Sequence, residues 1–275
     1  MEKTRVLHVC QEVNPFLPKS EISVNARQIA QGIQEGGKEI RVFMPRFGCI
    51  NERRHQLHEV IRLSGMNLIV DDTDHPLIIK VASIPTARMQ VYFIDNEEYF
   101  KRKATTTDDD GVCFDDNDER SIFFIRGVLE TVKKLGWKPD VIHCHGWMTS
   151  LMPLYLKKVY HKDPHFSDTK VVQSLYETSF NKNWDDSIFN KLKFDGFVED
   201  DFKVIADEIT FENLNKLAVQ YADGVVLHNN TKKEEFAEMV KSSDVPSVDF
   251  DMESDSVAVV DEFYDKLIEE QVLID

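Results

Sequence analysis

The chain has 275 residues, 42% of them hydrophobic, and a formal net charge of −16. At roughly 150 residues per domain, this supports one large domain or two modest ones with a sizeable core. The acidic balance argues against a nucleic-acid partner, whose phosphates need clustered Lys and Arg. No apolar run approaches the roughly 20 residues of a membrane helix, and no charged-then-apolar leader precedes the first strand, so no membrane association is expected. Cys10, Cys49, Cys113 and Cys144 are scattered without a Cys-x-x-Cys spacing, two of them in expected buried strands. They read as reduced thiols, and the expected location is cytoplasmic.

The first stretch, Arg5 to Gly48, organises the rest. An apolar run, Arg5 to Cys10, leads through a proline-broken segment into a helical period at Ile22, Ala26, Ile29, Ala30 and Ile33. Gly36-Gly37 stops the helix and Glu39 to Met44 forms a second apolar run closed by Pro45. Strand, loop, helix and strand make a βαβ unit, whose first loop lies at the carboxyl edge of a parallel sheet where ligands bind.

Three β-rich runs follow at Val60–Val70, Leu77–Ile84 and Met89–Ile94, read as an antiparallel insertion returning to the main sheet. Residues 101–118 pass from Lys101-Arg102-Lys103 to Asp108-Asp109-Asp110, which predicts a solvated, mobile loop. Helix is expected from Asp118 to Leu135 with Gly136 as its stop. Further strands are expected at Val141–His145, Lys170–Leu175 and Gly224–Leu227, and helices at Leu151–Tyr160, Phe211–Tyr221 and Lys232–Lys241. Ser242 to Asp255 reads as an acidic linker, and Val257 to Leu273 as a final amphipathic helix. The alternation indicates an α/β domain with a Rossmann-like, largely parallel sheet.

Several segments together resemble the glycogen and starch synthases. They are Gln11-Glu12-Val13-Asn14-Pro15-Phe16, Arg41-Val42-Phe43-Met44-Pro45-Arg46-Phe47-Gly48, Tyr99-Phe100 and the helix start Phe114 to Phe124. The most specific is Gly136-Trp137-Lys138-Pro139-Asp140-Val141-Ile142-His143-Cys144-His145-Gly146-Trp147, and Ala222 to Val226 resembles the last strand of the family's N-terminal lobe. Order and spacing hold across about residues 5–240. The resemblance implies residues 1–241 as the single N-terminal lobe of a two-lobed GT-B glycosyltransferase, 242–256 as linker and 257–275 as a C-terminal helix. It implies glucosyl transfer from ADP-glucose to an α-1,4-glucan, with no further cofactor.

The departures are as clear as the matches. The family's Lys-x-Gly-Gly-Leu loop brings backbone N–H groups to the nucleotide phosphates, a task suited to glycine. Here Pro18, Ser20, Glu21 and Ile22 fall on the lysine, the two glycines and the leucine. A slip by one residue returns Lys19 to the lysine position without restoring the glycines. Gly146 replaces the aspartate of His-Asp-Trp, Met148 the histidine after it, and Ser174-Leu175-Tyr176 the Val-His-Asn motif. The residues after 240 are too few for a nucleotide-binding lobe.

Each candidate site residue has a structural alternative. Glu12, at the end of the first strand, either serves a ligand or caps the next helix. Lys19 either reaches an anion beside the helix N-terminus, with Ser20 as N-cap, or is an exposed loop lysine. His143 and His145 point to one face of their strand, but no third ligand has suitable spacing, so they read as core or crevice-edge histidines and no metal is expected. Trp147 either stacks on a sugar or packs. Asn117, Glu119 and Arg120 match a family motif at a helix start, where capping also explains them. Two functional readings follow from the resemblance: a family transferase inactive by itself, which a separate chain carrying a nucleotide lobe could complete, or a non-catalytic α-glucan-binding, regulatory or scaffold relative. A third is an unrelated small-ligand enzyme using Glu12 and the histidines as acid and base.

Overall fold

The computed structural model describes residues 3–252 and 255–272. In chain order the strands and helices are β1 (Arg5–Cys10), α1 (Glu21–Glu35), β2 (Glu39–Pro45), α2 (Glu52–His55), β3 (His58–Glu59), β4 (Met66–Val70), β5 (Thr73–Ile84), β6 (Met89–Asp95), α3 (Glu97–Phe100) and α4 (Asn117–Leu135). They continue with β7 (Val141–His145), α5 (Met152–Lys158), β8 (Lys170–Leu175), α6 (Ser187–Phe194), α7 (Phe211–Tyr221), β9 (Gly224–His228), α8 (Lys233–Ser243), β10 (Ser247–Phe250) and α9 (Ser256–Val272). The sheet order is β10-β9-β8-β7-β1-β2-β6-β5-β3, with β4 paired to β5 outside that path. From β10 to β6 all neighbours are parallel, while β3, β4 and β6 pair with β5 antiparallel. The fold is therefore α/β with a largely parallel sheet, and the antiparallel insertion sits on one flank.

Helix α1 shows how local sequence sets this frame. Ser20 caps it reciprocally with Ser23: the Ser23 N–H donates to Ser20 Oγ at 3.0 Å and the Ser20 N–H to Ser23 Oγ at 2.8 Å. Its apolar stripe, Ile29 and Ile33, packs with Val260, Phe263, Tyr264 and Leu267 of α9 over Val6, Val141, Val172 and Val226. The opposite face of the sheet, with Leu7, Val9 and Ile142, is covered by α4, α5 and α7. Strands covered on both sides are buried along their whole length, as β7 and β9 are at every residue.

Two expectations change. The segment read as an acidic linker carries β10, paired parallel with β9 from Ser247 to Phe250. Val248 and Phe250 alternate onto the α1–α9 face while Ser247 and Asp249 are exposed, a period-2 signal too short to stand out among acids. The loop over 101–116 is anchored rather than loose. Arg120, wholly buried, donates from Nε to Tyr99 O at 2.8 Å and from Nη2 to Thr105 O at 2.6 Å. Arg102 pairs with Asp116, and Thr107 bridges to Cys113. The final helix is described to Val272; Leu273, expected within it, lies outside the described residues.

Candidate functional site

The carboxyl ends of β1, β7, β8 and β9 converge on one edge of the sheet, where the loops after them carry most of the expected site residues. Glu12 is half-buried and accepts a hydrogen bond from the Ser20 hydroxyl. Burial pushes its carboxyl up, while the Ser20 hydroxyl and Gln11 pull it back. It therefore braces the N-cap of α1. Lys19 is exposed and lines a hollow of about 690 Å³ together with Ser20, Glu21, Asn25 and Asn229.

Glu21, the first residue of α1, has a larger part than the sequence indicated. Its Oε1 accepts from Asn230 Nδ2 at 2.6 Å and its Oε2 from the Glu177 N–H at 3.0 Å. One carboxylate thus ties the start of α1 to the loops after β8 and β9. Burial raises its pKa, and the Asn230 and Glu177 hydrogen bonds oppose that rise. A negative charge already sits beside the positive end of the helix, where an anion would otherwise bind.

His143 and His145 are fully buried and face α1 and α9, and β1 brings His8 into register beside His143. His8 Nδ1 lies 3.2 Å from His145 Nε2. His145 Nδ1 meets the Tyr176 hydroxyl at 2.8 Å, and His143 meets the Tyr264 hydroxyl of α9 at 2.6 Å and Ser174 Oγ at 2.8 Å. His228 extends the network, with Nε2 3.0 Å from Ser174 Oγ and Nδ1 3.1 Å from Asn25 Nδ2. Burial pushes His8 and His228 down to about 3, and pushes His143 and His145 well below the usual imidazole range, with neighbouring histidines adding to the effect. All four rings are neutral at pH 7. Sequence reasoning missed His8 because its place beside His143 depends on strand order; its alternation with Cys10 on β1 fixes only the face.

A second open feature is a cleft of about 600 Å³ between the 114–119 segment and the start of α6, lined by Phe114, Asp115, Asp116, Glu119, Trp184 and Lys191, among others. Lys191 Nζ is held between Asp118 at 2.6 Å and Glu119 at 2.8 Å. The other Glu119 oxygen accepts from the Tyr99 hydroxyl at 3.1 Å. Trp147 does not reach this cleft: it is 3% exposed and packs edge-on to Phe180 and Trp184. Asn117 is likewise consumed internally, donating to Thr106 O at 2.9 Å and accepting from Arg120 Nη1 at 2.7 Å. The aromatic side is formed by Phe114 and by the edge of Trp184, which is 8% exposed and which no sequence motif singled out. Carboxylates that accept hydroxyl donors, beside aromatic faces that cover apolar C–H surface, suit a neutral polyol better than an anion.

The comparisons with known proteins agree with this architecture. The starch synthase catalytic domain family matches residues 5–244. The chain belongs to the glycogen and starch synthase family. Glycogen synthase of Chlorobium limicola is 43% identical over 173 residues, covering 62% of this chain and 35% of that protein. Glycogen synthase of Chlorobaculum parvum is 35% identical over 220 residues, covering 76% of this chain and 44% of its own length. The chain thus spans less than half of these glycogen synthases. The catalytic domain of starch synthase IV from Arabidopsis thaliana, bound to ADP and acarbose, shares the fold with a TM-score of 0.74 at 15% identity, over 90% of this chain and 51% of that one. No helix among the described residues is long and apolar enough to cross a membrane.

Proposed function

We propose that this chain acts in α-1,4-glucan synthesis as a glucan-binding lobe of the glycogen and starch synthase family, and that by itself it does not transfer glucose from ADP-glucose. The observation that carries the reading is Glu21. Its carboxylate occupies the N-terminal corner of α1 and is held there by Asn230 and the Glu177 N–H. A diphosphate approaching that corner meets a fixed negative charge instead of the glycine backbone that the family resemblance implies. Transfer with retention also needs stabilisation of the departing diphosphate, for which the hollow at this corner offers the exposed Lys19. The cleft beside Trp184 is the support for a bound α-glucan. The free thiols of Cys10, Cys49, Cys113 and Cys144 support a reducing, cytoplasmic setting.

Incubation of the purified chain with labelled ADP-glucose and glycogen tests the first half. Label incorporated above a Glu12→Ala control overturns it. Co-sedimentation with glycogen tests the second half, since failure to bind any α-glucan removes the glucan-binding reading. A second reading, in which a separate chain supplies the nucleotide lobe, is favoured by the open hollow at Lys19, Ser20, Asn25 and Asn229. Mixing with the isolated nucleotide lobe of a relative then restores transfer.

A further inference from the structure

Three fully buried imidazoles of β1 and β7 crowd together on one face of the sheet. His8, His143 and His145 each offer one ligand atom, and these atoms all lie within 4.8 Å of one another.

We propose that His8, His143 and His145 form a binding site for a transition-metal dication of the zinc class. Two tetrahedral ligands at about 2.0–2.1 Å from zinc stand roughly 3.3 Å apart, and His8 Nδ1 and His145 Nε2 are separated by 3.2 Å. His143 completes a three-histidine set, its ligand atom within 4.8 Å of the other two. The second shell is already built. The Tyr176 hydroxyl holds His145 Nδ1 and the Tyr264 hydroxyl holds His143 Nδ1, which is how protein partners orient metal-binding imidazoles through the nitrogen that does not ligate. When His143 Nε2 turns to the ion it releases Ser174 Oγ, which keeps His228 as its partner.

The ligand set selects the metal. Three imidazoles without a carboxylate suit zinc, copper or nickel and not calcium or magnesium. The fourth position is left to water or hydroxide, and hydroxide offsets half of the buried charge. The site spans β1 and β7 under α9, whose Tyr264 belongs to its second shell. Loading and docking of α9 are therefore linked.

The test uses the full chain stripped with EDTA and titrated with Zn²⁺ alone against a zinc-sensitive dye, with Co²⁺ absorbance as a report on geometry. The expected results are one ion per chain, a tetrahedral cobalt spectrum and a higher unfolding temperature that EDTA reverses. His8→Phe and His145→Leu are expected to weaken binding at least about tenfold, while His161→Ala, an exposed surface control, leaves it unchanged. Absence of stoichiometric zinc binding by the wild-type chain overturns the proposal, as does affinity that survives His8→Phe. Because the wild-type titration needs no variant, a misfolded mutant cannot rescue or sink the result.

Discussion

The indole of Trp147 lies edge-on to that of Trp184, with ring centroids 6.0 Å apart; both rings are buried, and of the two Trp184 borders the cleft. The two tryptophans therefore separate packing from recognition. Trp184→Leu is expected to weaken glycogen binding by about 0.5–1.5 kcal/mol through loss of the aromatic face. Trp147→Ala is expected to cost roughly 3–5 kcal/mol of stability, because it opens a cavity against Phe180 and Trp184. Co-sedimentation at matched folded fractions, with urea unfolding of each variant, reads both effects. Binding lost on Trp147→Phe but kept on Trp184→Leu would reverse the assignment.

Much of the frame was legible because strand and helix periods differ and the breakers fall between them. Gly136 ends α4 in the left-handed conformation, at φ +60°, where its sequence position predicts a stop. The site was less legible, for a physical reason. Sequence alternation places His143 and His145 on one face, but only the parallel order of β1, β7, β8 and β9 adds His8, Ser174, Tyr176 and His228 to them. Trp184 was invisible for the same reason: it comes from a loop that carries no periodicity and meets Phe114 only in three dimensions. Glu21 was marked as a departure, yet its partners lie 156 and 209 residues away.

Glu21 gives the second prediction. Glu21→Gly removes the carboxylate that ties α1 to Glu177 and Asn230, and it restores the small residue that the family loop implies. Loss of two hydrogen bonds at a partly buried site is expected to cost about 1–2 kcal/mol in urea unfolding. In return the variant is expected to show an ADP-dependent rise in unfolding temperature that the wild-type chain lacks. An equal rise in both proteins would show that Glu21 does not guard the corner.

His228 predicts a pH dependence. Its imidazole is held down to about 3 by burial, against 6.5 unfolded, with Asn25 of α1, Ser174 of β8, Tyr176 just after that strand and Phe250 of β10 around it and His143 as the charged neighbour if protonated. The folded state binds the proton less readily than the unfolded one. The stabilisation is therefore complete above pH 6.5 and is lost progressively as pH falls toward 3. At pH 5 this one ring accounts for about 2 kcal/mol. His228→Phe preserves the stacking on Tyr176 and is expected to flatten the unfolding free energy between pH 7.5 and 5 by that amount. An unchanged slope would place the acid sensitivity elsewhere.

Helix α9 docks against a notch that only glycine leaves open. A Cβ built on Gly224, in β9, would stand 2.6 Å from Phe263 Cζ and 2.9 Å from Leu267 Cδ1, so the side chains of α9 rest directly on the strand backbone. Gly32 repeats the arrangement from α1, where a Cβ would collide with Val257 Cγ1. Neither glycine has a positive φ, so substitution tests space and not backbone strain. Gly224→Ala is expected to push Phe263 outward and cost about 1–3 kcal/mol of stability, with faster amide exchange along α9. Phe263→Leu alone also loses stability, because it leaves a gap in the same contact. In the double variant the smaller side chain accepts the new methyl, so the combined loss is smaller than the sum of the single losses. Strict additivity would show that α9 relaxes away from the strand as a body, and the Tyr264 hydroxyl would then leave His143 with it.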